Sequence, residues 1–164
     1  MIIRSFLNRW VIVFGLVLVA GFCYAQPQSH TLENVDFLQK KEKRPIVIFI
    51  HTDWCRYCKM MEKTTFRNRE IEEVLNQNFY YINFDAETKD DVCFNGQKYT
   101  YRPTGYRVGV HALAEKIGTI DGELNFPTLV ILNVNYEVVF QYSGYLSAND
   151  LMVVLNKVQK MQII

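Results

Sequence analysis

Two cysteines separated by two residues stand in Trp54-Cys55-Arg56-Tyr57-Cys58-Lys59. This spacing serves thiol–disulfide exchange, soft-metal ligation, or a merely structural pair. What flanks the pair favours exchange. Ile46-Val47-Ile48-Phe49-Ile50 precedes it as a continuous apolar run, the pattern of a strand buried on both faces. A helical pattern follows it. Cys55 then falls on a strand-to-helix turn that exposes its sulfur to the unpaired N–H groups and positive dipole end of the helix. That field favours the thiolate, the species that attacks a disulfide. Cys58 lies one turn along, within reach to resolve the mixed disulfide. Arg56 and Lys59 add positive charge beside the sulfurs and stabilise the thiolate further. The spacing therefore predicts Cys55 as nucleophile and Cys58 as resolving thiol. The alternative is a copper or zinc carrier that uses both thiols with His51 or Cys93, since soft thiolates suit Cu(I).

The elements that must position this pair are legible on both sides. Thr31 to Lys41 carries Leu32, Val35, Phe37 and Leu38 and reads as a short helix before Pro45. Cys55 to about Phe66 is helical. Asn68 is an N-cap for a second segment with Ile71, Val74 and Leu75 on one face. Phe79 to Asp85 is the next strand. Val92 to Tyr99 reads as a hairpin on Asn95-Gly96. Tyr101 to Tyr106 reads as a loop, with Pro103 and Gly105. Val110, Leu113, Ala114 and Ile117 recur at helical spacing, which predicts an amphipathic helix over Val108 to Ile117 with His111 at its surface. Asp121-Gly122 is a turn. Thr128 to Leu132 and Tyr136 to Tyr142 form a hairpin through Asn133-Val134-Asn135, and Ser147 caps a last helix with Leu151, Val154, Leu155 and Val158 inward.

With Trp54-Cys55-x-x-Cys58-Lys59 and Phe126-Pro127-Thr128 in place, the chain resembles the thioredoxin superfamily over about residues 31 to 160. Gly144 and the helix after Ser147 match the family's ending. Asp53-Trp54-Cys55, Cys58-Lys59-Met60-Met61-Glu62 and Thr65-Phe66 are most similar to bacterial exported thioredoxin-like proteins and the C-terminal domain of the thiol:disulfide interchange protein. The resemblance implies an α/β thioredoxin-like sandwich, a central mixed β-sheet flanked by helices. It also implies a cis-proline at Pro127, facing the cysteines at the start of a central strand. Between Asp85 and Pro127 the chain is longer than a minimal thioredoxin, so an inserted hairpin and helix, about residues 86–120, stand before the cis-proline strand. Such an insert is expected to border the substrate groove. The family needs no cofactor beyond the redox disulfide and no metal. Its partners are protein thiols and disulfides, and outside the cytosol a membrane electron-donor protein.

The resemblance assigns active-site support to Trp54, Arg56, Tyr57, Lys59, Phe126 and Pro127. Phe126 replaces a smaller residue and either contacts substrate or packs. Tyr57 stands where thioredoxins carry proline, so the dipeptide leaves direction open. One position departs from the pattern. The family often buries an aspartate six residues before the first cysteine, and here that residue is Phe49. Proton handling at Cys58 then falls to water, His51, Asp53 or, through the fold, Glu62. Cys93 is left over, and its simplest reading is a buried or half-buried thiol. Tyr99, Tyr101 and Tyr106 with Arg102 and Arg107 form an aromatic-basic strip, read as a protein-facing lid or loop packing rather than a nucleic-acid surface.

The chain has 164 residues, 49% hydrophobic and 14% aromatic, enough for one domain with a real core. Its net charge of +1 implies no nucleic-acid partner. Residues 1–25 read as a signal peptide. Arg4 and Arg9 precede the apolar run Val11 to Phe22, short against the roughly 20 residues of a membrane span. Cys23-Tyr24-Ala25 is a cleavage site, leaving residues 26–164 as the thioredoxin-like domain. The expected location is the periplasm or another exported compartment. The alternative is an uncleaved N-terminal anchor, because Trp10 to Ala25 is one apolar run.

Overall fold

The computed structural model describes residues 26–106 and 108–162. The leader at 1–25, with its cleavage site, and Arg107 of the aromatic-basic strip lie outside the described residues. No helix among the described residues is long and apolar enough to cross a membrane.

Thr31 caps α1 (Leu32–Lys41) by accepting the Asn34 N–H at 3.2 Å. Pro45 then leads into β1 (Ile46–His51), whose residues 46–50 are fully buried. β1 runs parallel to β2 (Tyr80–Asp85) and antiparallel to β7 (Thr128–Leu132), and β7 pairs with β8 (Val138–Ser143). The sheet order is β2-β1-β7-β8, a mixed sheet with β1 at its centre. A core cluster covers each face of β1, which is why its sequence reads as an unbroken apolar run. Alternate side chains serve opposite faces. Val47 and Phe49 join Met61, Phe66, Ile71, Leu75, Leu151 and Leu155 on one side. Ile46, Ile48 and Ile50 join Leu32, Val35, Leu113 and Ile117 on the other.

The helical stretch after Cys55 is broken, as Asn68 implied. α2 (Arg56–Lys63) ends at Thr64, and α3 (Arg69–Asn78) starts on the Asn68 cap, which accepts from Glu70 and Ile71 N–H at 3.0 and 3.2 Å. Buried Thr65 fixes the break by donating to Leu146 O at 2.6 Å. The final helix α5 (Ala148–Gln162) starts on Ser147, which donates to Asp150 Oδ2 and accepts the Asp150 N–H.

The segment before β7 differs from expectation in three places. The hairpin β3 (Val92–Phe94) and β4 (Gln97–Tyr99) forms as read, with Asn95 and Gly96 at φ of 50° and 71°, as a type I′ turn requires. Tyr101 to Gly105, however, is a strand rather than a loop. It is β5, paired with β6 (Val108–His111) in a separate two-stranded ribbon. The expected helix over Val108 to Ile117 is correspondingly shorter, α4 (Ala112–Gly118). The helical spacing is real from Leu113 onward, but β-branched Val108 and Val110 pair with β5 instead. Pro103 is tolerated because the ribbon has free edges and a bulge beside it. Gly109 opposite is obligatory: a Cβ there would collide with Arg102 O and lie 2.7 Å from Pro103 Cα.

His111 is buried, not at the surface. Its Nδ1 accepts the Leu113 N–H at 3.3 Å as the N-cap of α4, its ring meets Phe84 edge-on, and its backbone N–H donates to Ala86 O at 2.7 Å. Its Nε2 has no hydrogen-bond partner among the described residues. Burial lowers its pKa from the ordinary 6.5, against the raising effect of nearby groups that include Asp91. His30 is lowered in the same direction by burial and then by the Arg44 charge. The unfolded chain therefore takes up these protons first as pH falls. The contribution of these two groups to stability should be constant well above pH 6.5 and fall as pH drops from 6.5 toward the lower folded values. His111→Asn keeps a capping oxygen and removes one titration. It should flatten the slope of melting temperature against pH below neutrality, and an unchanged slope would remove His111 from this account.

Candidate active site

The sheet register brings the two key sequence motifs together. Ile50, five residues before Cys55, pairs with Thr128, the residue after Pro127. The C-terminal end of β1 therefore meets the start of β7, and the Cys55 turn meets the Phe126–Pro127 segment. The Phe126–Pro127 bond is cis. Cys55 and Cys58 are joined in a disulfide with a Cα–Cα separation of 5.2 Å.

Cys55 is the N-cap of α2, with its Sγ accepting the Cys58 N–H at 3.1 Å. This hydrogen bond aims a backbone donor at the sulfur, an arrangement that would favour negative charge on it in the reduced state. The first turn of α2 contains no acidic residue to oppose it. Against the sequence expectation, the turn hardly exposes the first sulfur. Cys55 is 3% exposed and Cys58 is 1%. Both sulfurs sit in the core cluster beside Phe49 and Met61, with Phe126 packed against it. Cys58 and Met61, the buried residues of α2, pack into the same cluster as Val47, Phe49 and Leu129, which carries the pair inward.

Around this nearly closed pair stands an exposed rim. Trp54, Tyr57 and Met60 are large apolar residues open to solvent, and Arg56 and Lys59 are exposed beside them. Trp54 meets Phe126 edge-on at 6.0 Å, bridging the cysteine turn and the Pro127 segment. Its indole N–H donates to Glu87 Oε1 at 3.0 Å. Glu87 thus fixes the orientation of the residue before Cys55. Nothing in the local sequence pattern points to Glu87, because a contact across 33 positions leaves no trace in spacing.

The candidate proton-handling residues separate. His51 is half-buried, stacks on Phe49 at 5.7 Å, and pairs in register with Asp85. It therefore lies on the sheet face that holds the disulfide. Asp53 is exposed in the turn. Glu62 is half-buried one helical turn after Cys58, and its charge is felt by Tyr81. Burial, with Glu62 second, pushes the Tyr81 hydroxyl well above its ordinary range, so Tyr81 stays protonated. Phe49 fills the family's aspartate position as pure core, 0% exposed.

Cys93 is exposed, not buried. Phe94 points inward from the same short strand, so alternation turns Cys93 outward, while its N–H donates to Glu33 at 3.2 Å. Among the described residues no three His, Cys, Asp or Glu side chains gather as a metal site would need, so Cys93 and His51 do not complete a set with the CxxC. Cys93→Ala should leave the rate of disulfide reduction within a few-fold of wild type. A loss of two orders of magnitude would bring Cys93 into the mechanism.

Comparisons with known proteins follow the same lines. A sequence profile of the thioredoxin-like domain family matches residues 35–159. Spermatogenesis-associated protein 20 of Rattus norvegicus is 42% identical over 53 residues, 32% of this chain and 7% of that protein. Anterior gradient protein 3 of Mus musculus is 32% identical over 60 residues, 37% of this chain and 36% of that protein. Among solved structures, DsbH oxidoreductase superposes with a TM-score of 0.58 at 15% identity, covering 83% of this chain and 86% of its own. A thioredoxin from Thermus thermophilus gives 0.58 at 18%, covering 82% and 88%. The C-terminal domain of DsbD from Neisseria meningitidis, in its reduced form, gives 0.51 at 17%, covering 76% and 90%. At these identities the structural likeness speaks for the fold.

Proposed function

The chain belongs to the thioredoxin-like domain family, and on that premise we propose that it is an exported thiol–disulfide oxidoreductase that reduces protein disulfides. The observation that carries this is the Cys55–Cys58 disulfide at the N-cap of α2, with a backbone N–H on Cys55 Sγ and Phe126–Pro127 alongside.

In the reduced state the Cys55 thiolate attacks one sulfur of a partner disulfide. A Cys55–partner disulfide forms, and the other partner sulfur leaves as a thiolate that takes up a proton. Cys58 then loses its proton and attacks Cys55 Sγ. The Cys55–Cys58 disulfide forms, the second partner thiol is released, and two electrons have passed to the partner. With Phe49 in the aspartate position, the single Cys58 proton passes through water to His51, on the disulfide's face of β1, or to exposed Asp53. Trp54, Tyr57 and Phe126 form the apolar approach to the nearly closed pair. Arg56 and Lys59 add their charge to the helix field. The disulfide is re-reduced by exchange with the thiols of a membrane electron-donor protein.

The reducing direction is supported by the sequence match of Asp53-Trp54-Cys55 and Cys58 to Glu62 to interchange-protein domains. Export is supported by Arg4, Arg9, the apolar run after them and Cys23-Tyr24-Ala25. Two experiments test these points. The protein should catalyse reduction of insulin by dithiothreitol and fail to accelerate oxidative refolding of reduced ribonuclease; the opposite pattern makes it an oxidant. Residues 1–30 fused to alkaline phosphatase should give phosphatase activity, which requires export, and an inactive fusion overturns that part.

A further inference from the structure

We propose that the end of the domain opposite the disulfide is a docking face for an anionic phospholipid bilayer. This concerns where the domain rests rather than its chemistry, and it does not depend on the direction of electron flow.

β1 sets the polarity of the molecule. Ile46 starts it, His51 ends it about 17 Å away, and Cys55 lies beyond His51. At the Ile46 end the link 42–45, the end of α3 and the end of α5 converge. Glu42, Lys43, Arg44, Gln77, Asn156 and Lys160 share one cleft there. Lys43, Val139, Val158 and Met161 share a second beside it. This end carries Lys40 and Lys41 from α1, Lys43 and Arg44 from the link, and Lys157 and Lys160 from α5. All but Arg44 are exposed.

The carboxylates nearby are engaged. Glu42 pairs with Arg44 at 2.8 Å, Glu137 accepts from Asn133 Nδ2 at 2.7 Å, and half-buried Asp36 accepts the Tyr136 hydroxyl at 2.8 Å. The Asn133 and Tyr136 contacts leave Glu137 and Asp36 charged, but the six cations named outnumber these three carboxylates, so this end keeps a surplus of positive charge. Exposed apolar groups stand among them: Phe37, 4.4 Å beneath the Lys41 ammonium, and Met161. Long basic side chains interleaved with apolar ones suit a lipid headgroup layer, with stems against the acyl boundary and charges on the phosphates.

The path of the chain points the same way. The Gln28 N–H donates to Asn76 Oδ1 at 2.8 Å, and Arg44 donates to Asn76 O at 3.2 Å. The first described residues thus enter at this face. The 25 residues ahead of them, apolar from Trp10 to Ala25, join the domain here. With the leader retained as the uncleaved N-terminal anchor, a bilayer met through that stretch meets this face first; after cleavage at Ala25 the charge of the face alone would hold it there. The disulfide end mixes Asp53, Asp85 and Glu87 with exposed Arg56 and Lys59 and so has no comparable positive surplus, and docking through the opposite end leaves Cys55 facing the aqueous compartment.

Lysine footprinting tests this on the full chain, reconstituted with vesicles of phosphatidylcholine alone or with about one third phosphatidylglycerol. A membrane-impermeant amine reagent is read residue by residue by mass spectrometry. Lys40, Lys41, Lys43, Lys157 and Lys160 should react at least about fivefold more slowly on the anionic vesicles. Lys89 and Lys98 should be unchanged. In about 1 M salt, where the screening length falls to about 3 Å, the difference should vanish. Lys40→Gln, Lys41→Gln and Lys43→Gln together should restore the reactivity of Lys157 and Lys160 on anionic vesicles. Equal reactivity on both vesicles, protection that survives salt or the triple substitution, or equal protection of Lys89 and Lys98 would each overturn the proposal.

Discussion

Cys58→Ser should hold the protein on its partners as mixed disulfides through Cys55 and abolish multiple turnover. In the wild type Cys58 attacks from one helical turn away, with its backbone N–H already on Cys55 Sγ at 3.1 Å. Well-oriented intramolecular reactions reach effective molarities of about 10⁵ M or more. A serine hydroxyl in that position does not displace sulfur. Release then waits for an external thiol at millimolar concentration, and turnover should fall by at least about a thousandfold. Non-reducing gels should show partner-sized adducts that vanish with dithiothreitol and are absent from the Cys55→Ser, Cys58→Ser double variant. The converse assignment is tested in the same preparation. If Cys55→Ser rather than Cys58→Ser accumulates the adducts, the nucleophile and the resolving thiol are exchanged.

Phe49→Ala should be the most destabilising single change near the site. Phe49 is fully buried on β1, packs edge-on against Phe66 at 4.8 Å, stacks with His51 and shares a cluster with both cysteines. Removing the ring leaves a cavity under the disulfide and costs about 3–5 kcal/mol. At this chain length that corresponds to a fall of about 10 °C in melting temperature. The measurement is thermal unfolding of the oxidised protein followed by circular dichroism. A fall of only a degree or two would mean that the site collapses around the missing ring, and that Phe49 does not support the cysteines from below. Phe49→Leu, which retains much of the volume, should recover most of the loss.

The parts of the fold that follow from local pattern were legible. β1 declares itself by an apolar run, Asn68 and Ser147 by capping chemistry, and Asn95-Gly96 by the positive φ that a type I′ turn demands. Cys55 at a helix start is likewise a local statement, and it carries most of the chemistry. What depends on pairing partners was hidden. Val110 fits a helical period with Leu113 and Ile117, yet its backbone pairs with Arg102 on β5. His111 reads as one more polar helix residue until Phe84 and Ala86 close over it. Cys93 turns outward because Phe94 turns inward, a choice made by the core and not by the strand itself. Glu87 reaches Trp54 only once β2 has been laid beside β1. The near-complete burial of Cys55 has the same origin, since it depends on how closely Phe126 and the helix return to the turn.

The central claim is that Cys55–Cys58 is a redox pair poised to give electrons to protein disulfides. Its most direct test is the reduction potential of that pair. The oxidised protein is equilibrated with dithiothreitol or glutathione buffers and the remaining thiols are trapped at Cys55 and Cys58, with Cys93→Ala as background so that only the pair is counted. A reversible two-electron transition near about −270 mV, in the range of a reductant, is the expected result. A transition near about −120 mV, in the range of a strong oxidant, would contradict it.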